Sequence, residues 1–156
     1  MKRKSRILIA CILAAATALV SLPGFAAYEN TSGPWAYTVE GDVATITAYA
    51  GPGGDVIVPD TLGGKTVIAI GPRVFEGKAV KTVTLPGGLL GIGEYAFAGC
   101  KELTAVTVPK WVGNIAARAF EGCASLAGVY FEGQPPAISA TAFDGAPATL
   151  LLYGHV

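Results

Sequence analysis

Hydrophobic side chains return along this chain with a period of 22 to 23 residues. Phe75, Phe97, Phe120 and Phe143 are spaced 22, 23 and 23 residues apart, and each is followed two residues later by Gly77, Gly99, Gly122 or Gly145. Five residues before each phenylalanine stands Ile70, Ile92, Ile115 or Ile138, and eight before it stands Val67, Leu89, Val112 or Pro135. Val74, Ala96, Ala119 or Ala142 comes immediately before it. Columns that hold phase over four copies define a repeat. A unit this short cannot enclose its own apolar face, so successive copies must stack into a solenoid.

Each unit opens with an alternating run, VKTVTLP, LTAVTVP or LAGVYFE, in which Val80, Val83 and Leu85 match Leu103, Val106 and Val108, then Leu126, Val129 and Phe131. The alternation predicts a short strand that ends where Pro86 or Pro109 removes the next donor. The segments EYAFAGC and ARAFEGC set small residues around one phenylalanine and then a glycine. That pattern predicts one helical turn closed by a glycine cap. Upstream, YTVEGDVATITAY alternates on both sides of Gly41-Asp42 and predicts a β-hairpin that caps the first coil. Between Pro59 and Val67 the first repeat carries five more residues than the next one does between Pro86 and Leu89, and Gly63-Gly64 marks these as a small excursion.

The repeated pattern of Leu, Val, Val-Pro, then Val, Ile-Gly and Ala-Phe-x-Gly-Cys resembles the BspA-type leucine-rich repeat of bacterial secreted and surface proteins, over about Tyr37 to Tyr153. The stretch from Tyr37 through Val39, Gly41, Ala44, Ile46, Tyr49 and Gly51 to Asp55–Pro59 is similar to that family's leading segment. The expected fold is a β-rich leucine-rich-repeat solenoid of about four to five coils, each with a short parallel strand and one helical turn. The expected division is a signal peptide over 1–26, a capping segment over 27–54 and repeats over 55–156. The resemblance implies a binding module that adheres to host matrix proteins or to other cells. A structural spacer, or a piece of a larger surface protein with no ligand of its own, is the alternative. The last repeat departs from the pattern, with Glu132 for proline, Pro135 in an apolar column and Ser139 in place of Gly71 or Gly93. Phase predicts a further strand over Ala148–Tyr153. The closing residues LLLYGHV lack the polar cap that solenoid ends need, so either an apolar edge is left for a partner or the sequence is part of a longer one.

Composition at first points nowhere: 156 residues, 52% hydrophobic, 14% charged, with eleven basic and eleven acidic side chains. The balance hides an asymmetry. Lys2, Arg3, Lys4 and Arg6 lead into the apolar run ILIACILAAATALVSL and then Pro23-Gly24-Phe25-Ala26. This is the layout of a bacterial secretory signal, with Gly24 and Ala26 as the small residues before a cut after Ala26. An uncleaved anchor needs ~20 apolar residues, and this run is shorter. Leu8-Ile9-Ala10-Cys11 spells a lipobox, but too few apolar residues precede Cys11. The remaining chain has seven basic and eleven acidic residues, has no further membrane span, and carries no basic footprint for nucleic acid.

Candidate chemistry is sparse, and the expectation is no enzyme, no cofactor and no metal. His155, the single histidine, stands one residue from the end. Ser32, Ser125 and Ser139 sit in turn-like contexts, Glu40 and Asp42 flank a hairpin turn, and Gly51–Gly54 lacks the Lys and Ser/Thr of a phosphate loop. Cys100 and Cys123 share one phase, three residues after Phe97 and Phe120. Coils about 4.8 Å apart bring them close. They form either a disulfide, which export permits, or a ladder of buried thiols, which stacked parallel Cβ vectors favour.

What remains is surface. Strand positions 2 and 4 point away from the core, so one sheet face should show Thr82, Thr84, Ala105, Thr107, Gly128, Tyr130, Leu151 and Tyr153. Thr82, Thr84, Thr107, Tyr130 and Tyr153 are the candidate ligand-binding residues, with a protein or a glycan as the ligand. Simple β-propensity also favours Thr and Tyr there. Lys78, Lys81, Lys101, Lys110 and Arg118 read as scattered solubility charges. Intact-mass analysis of the exported protein should show a chain that begins at Ala27, and a retained leader would refute the signal-peptide reading.

Overall fold

The computed structural model describes residues 30–147, 149 and 151–154. The proposed leader, the cut after Ala26, Cys11 and His155 lie outside the described residues. The chain opens with β1 (Asn30–Ser32), β2 (Trp35–Glu40) and β3 (Val43–Tyr49), an antiparallel meander in which β2 and β3 join through Gly41-Asp42 as the alternation predicts. The coils follow. Strands β4 (Gly54–Ile57), β7 (Val80–Thr84), β9 (Ala105–Val108), β11 (Gly128–Phe131) and β13 (Leu151–Gly154) form one parallel five-stranded sheet. On the opposite side, β6 (Lys65–Ile70), β8 (Gly91–Ile92), β10 (Asn114–Ile115) and β12 (Ala137–Ile138) extend the hairpin into a second sheet. The Gly63-Gly64 excursion is a hairpin between β5 (Thr61–Leu62) and β6, with both glycines at positive φ.

Between the two sheets lie the columns read from phase. Val83 and Val106 pair in register, Val106 pairs with Val129, and Ile70, Ile92, Ile115 and Ile138 follow one another in the second sheet. Phe75, Phe97, Phe120 and Phe143 stack along the axis with ring centroids 4.8, 5.1 and 5.3 Å apart and planes within 11° of parallel. Trp35 and Tyr49 close the first end of this stack. Their rings lie 4.5 Å apart, and Tyr49 sits 5.2 Å from Phe75. Among the described residues every core residue lies at or after Trp35, so a polypeptide from residue 27 contains all of them.

The return segments differ from expectation, because the described residues contain no helix. Amides alternate in destination. Phe75, Gly77, Phe97 and Gly99 donate to Ala96, Ala98, Ala119 and Glu121 of the following coil, whereas Glu76, Lys78, Ala98 and Cys100 donate three residues back within their own turn. Half of the amides are therefore spent along the solenoid axis, and an α-helix, which needs all of them within one segment, cannot form. The segment begins with a left-handed residue at the same place in three coils, Arg73, Tyr95 and Arg118, with φ of 60°, 55° and 55°. It ends at Gly77, Gly99, Gly122 and Gly145, also at positive φ, which is why glycine holds that column.

Phe97, fully buried between two other rings, should lose about 3–5 kcal/mol of stability on Phe97→Ala. Phe143, which has a stacking partner on one face and is only partly buried, should lose under about 2 kcal/mol on Phe143→Ala. Urea unfolding of the two variants checks the order, and equal losses would contradict the stacked core.

Candidate ligand-binding face

The outer side of the five-stranded sheet carries two rows. Pairing sets Ile57 beside Thr84, Thr107 beside Tyr130, and Tyr130 beside Tyr153, so Ile57, Thr84, Thr107, Tyr130 and Tyr153 run as one row across the strands. Asp55, Thr82, Ala105, Gly128 and Leu151 form the second row. The five candidate residues are all exposed and all on this face. They are not equivalent. The Thr82 hydroxyl donates to Asp55 Oδ1 at 2.7 Å, which engages it within the protein. No intramolecular hydrogen bond of the described residues engages the hydroxyls of Thr84, Thr107, Tyr130 or Tyr153.

Polarity changes along the face. Asp55 and the threonines occupy the first strands, and Tyr130, Tyr153 and Leu151 the last. The Tyr130 and Tyr153 rings stack with centroids 4.6 Å apart and planes 4° from parallel. Gly128 makes room for this arrangement. A Cβ there would come within 3.0 Å of the Tyr130 ring, so the ring leans back along its own strand over the glycine. Both tyrosines are thus held by packing before any ligand arrives.

A second aromatic feature was not legible in the scattered charges. Arg73, Tyr95 and Arg118 occupy one column on the return side, with the Arg73 guanidinium 4.4 Å and the Arg118 guanidinium 5.6 Å from the Tyr95 ring centroid. Arg118 also donates to the Tyr95 hydroxyl, and Arg73 pairs with Glu76 at 2.8 Å. The signal was available in phase, since each stands two residues before a column phenylalanine. Trp111, on the turn after β9, is 61% exposed with the Lys110 ammonium 4.9 Å from its ring centroid. Trp35 is instead buried in the cap.

Cys100 and Cys123 are both fully buried free thiols. Each reaches the preceding coil, Cys100 Sγ donating to the Phe75 carbonyl at 3.0 Å and Cys123 Sγ to the Phe97 carbonyl at 3.1 Å. The ladder of thiols is the arrangement found. Burial pushes Cys100 up to about 11, and burial with the neighbouring Cys100 pushes Cys123 up to about 12. Neither is a nucleophile at neutral pH, since the thiolate is the reactive form. Glu40 and Asp42 stay exposed at the hairpin, where Lys65 pairs with Asp42 at 2.8 Å and holds its carboxyl below the usual range. Among the described residues no three His, Cys, Asp or Glu side chains gather as a metal site, and no helix is long and apolar enough to cross a membrane.

This geometry is that of a leucine-rich-repeat solenoid with a hairpin at one end. The BspA type leucine rich repeat region matches residues 63–149 in six copies, and the chain belongs to that family. Its fold is similar to that of a leucine-rich repeat protein from Bacteroides capillosus, at TM-score 0.73 and 23% identity over 82% of this chain and 99% of the other. The leucine rich repeat protein of T. pallidum is similar at TM-score 0.62 and 25% identity, over 81% of this chain and 64% of the other. The pneumococcal vaccine antigen PcpA shares the fold at TM-score 0.57 and 19% identity, over 82% of this chain and 46% of its own. A comparison with curated proteins found no match. Proteins of this family are typically surface-exposed or secreted, and the fold is typically non-enzymatic.

The raised thiols make stability depend on pH. Between the ordinary thiol value and about 11 the folded chain holds protons that the unfolded chain has lost, so stability is fully present below about pH 8.5 and falls as pH rises. Each thiol should contribute a slope approaching about 1.4 kcal/mol per pH unit in that window. Urea titrations from pH 8 to pH 11 should show a drop that the Cys100→Ala, Cys123→Ala double variant lacks. A thiol reagent should label the native protein only as fast as it unfolds.

Proposed function

We propose that this chain is an exported binding module, displayed at the cell surface or released, whose ligand face is the five-stranded sheet. Its role in this reading is adhesion to host matrix proteins or to other cells, through a protein or glycan ligand. The observation that carries the reading is the row of Thr84, Thr107, Tyr130 and Tyr153, exposed side chains in register on a rigid sheet with no charge among them. Family membership supports it, because leucine-rich repeat proteins generally bind other proteins.

The physical case is preorganisation. A flat sheet held by pairing on both sides of its inner strands loses little freedom on binding, and the cost of ordering an interface is a large part of what limits affinity. Tyrosine adds an apolar ring and a hydroxyl with few rotatable bonds, a combination enriched in protein interfaces. Uncharged hydroxyls spaced at strand intervals can hydrogen-bond without the desolvation cost of an ion. A ligand of extended, weakly charged surface fits this face better than a strongly charged one.

The test is binding of the 27–156 polypeptide to an array of matrix proteins, mucins and glycans, beside Thr84→Glu, Thr107→Glu and Tyr130→Glu combined. All three side chains are exposed, so the variant should keep its circular dichroism and urea midpoint. Three new charges on the face should weaken any specific ligand at least about tenfold, the effect of ~1.4 kcal/mol. Absence of binding by a folded wild type across the array would favour the spacer and count against adhesion.

A further inference from the structure

We propose that the sheet face takes a neutral oligosaccharide of two or more sugar units, laid across the strands with one unit against the Tyr130 ring and the next reaching Asp55. This rests on the sheet being the ligand face. The two faces of the Tyr130 ring are unlike. Tyr153 covers one of them, with centroids 4.6 Å apart and planes 4° from parallel. The ring edge that carries Cε2, Cζ and the hydroxyl rests over Gly128, so the ring stands upright on the sheet. Tyr130 is nonetheless 44% exposed, because its other face looks over β9, where Ala105 and Thr107 are the outward residues. Ala105 is the residue in register with Gly128, and its methyl group is too small to cover a ring.

The upright ring is thus the wall of a shelf whose floor is Ala105. Along one side run the hydroxyls of Thr107 and Thr84, which no hydrogen bond among the described residues engages. At the far side the Thr82 hydroxyl donates to Asp55 Oδ1 at 2.7 Å, which fixes the carboxylate and leaves Oδ2 as an acceptor. Strands β7, β9 and β11 each pair on both sides, so the wall and floor belong to the interior of the sheet. An apolar wall with a few fixed polar groups around it is the usual make-up of a small-ligand site.

Charge and spacing decide the occupant. Of the residues in the two outward rows Asp55 alone carries a charge, so an anionic glycan or an acidic segment is repelled at that end. A cation held on an aromatic ring lies within about 6 Å of its centroid. The Asp55 carboxylate stands two to three strand spacings from Tyr130, roughly 10–14 Å, so one ammonium or guanidinium cannot meet both. An apolar side chain could pack on the ring, but its chain would then strip water from the carboxylate without supplying donors. A neutral oligosaccharide answers both ends. The C–H groups on one side of a pyranose ring carry partial positive charge and pack on the negative face of the tyrosine ring. Its hydroxyls donate to Thr107, to Thr84 and, from the neighbouring unit, to Asp55.

The test is calorimetric titration of the 27–156 polypeptide with mono- to hexasaccharides of neutral hexoses and N-acetylhexosamines, beside heparin fragments and matrix proteins. At least one neutral series should bind, its tetrasaccharide at least about tenfold more tightly than its monosaccharide, and heparin fragments should not. Tyr130→Ala and Asp55→Asn should each weaken that binding at least about fivefold with circular dichroism and urea midpoint unchanged. Tyr130→Phe, which keeps the ring, should restore what Tyr130→Ala loses, and Trp111→Ala, on the turn after β9, should change nothing. Saturating the tyrosine ring protons should transfer magnetisation to the sugar C–H protons. Oligosaccharide binding that survives Tyr130→Ala, that shows no gain with length, or that is matched by heparin would overturn the proposal. If matrix proteins bind, lose binding in the triple glutamate variant, and no neutral oligosaccharide binds, the sheet remains the ligand face and the oligosaccharide is overturned. If no probe binds, both readings fall.

Discussion

Everything in this molecule follows from one constraint: a side chain must pack against the side chain that holds the same phase in the next coil. The phenylalanine column shows it most directly, because three successive ring pairs stack nearly parallel about one strand spacing apart. Holding that stack in phase leaves no place for five further residues inside the core, so the additional residues between Pro59 and Val67 are expelled as the β5–β6 hairpin. Like charges cannot share a column at this spacing without repulsion. The return side answers with Arg73, Tyr95 and Arg118, where the aromatic ring separates the two guanidinium groups and attracts both. That attraction is set against left-handed backbone at all three residues, a conformation costing on the order of 1 kcal/mol each.

The same constraint explains the cysteines. A position three residues after the ring lies against the preceding coil's carbonyl, leaving space for a small side chain that can donate weakly. Cys100 and Cys123 fill it, each with a bond to that carbonyl. Two thiols stacked in one column are close, yet each points down the axis to a carbonyl and not across to its neighbour. Burial then keeps them protonated. The column is structural, although its spacing alone also fits a disulfide.

Most of the architecture is legible because phase is a strong signal: it places Val83, Val106 and Val129 in one column and Thr107 and Tyr130 in another, as their pairing in the sheet does. The return segment was misread for a definite reason. EYAFAGC has the small residues and closing glycine of a helical turn, but where its amides go is decided by the coil beside it, and local propensity carries no information about that. Trp35 lies outside the repeat, so phase does not place it. Its role is to finish the ring stack at the capped end, a contact with a residue 40 positions away in sequence. The stacking of Tyr130 on Tyr153 was implicit in the register, whereas the recess that receives the Tyr130 ring depends on Gly128 lacking a side chain, which became visible only in three dimensions.

The candidate site differs from an active site in how its residues are positioned. No buried charge, strained nucleophile or convergent cluster holds it together. Its order comes from the sheet, and its chemistry is set by which outward positions the core leaves free. Because inward positions are fixed by stacking, the outward rows can vary without cost to the fold, and the face here grades from Asp55 and threonines to stacked tyrosines and leucine. In the proposed binding role, a gradient of that kind would offer a long ligand a polar end and an apolar end to match, and so favour one direction of binding. The apolar end of the gradient is built from the stacked Tyr130 and Tyr153 rings with Leu151 beside them, so packing between coils orders this face as it orders the core.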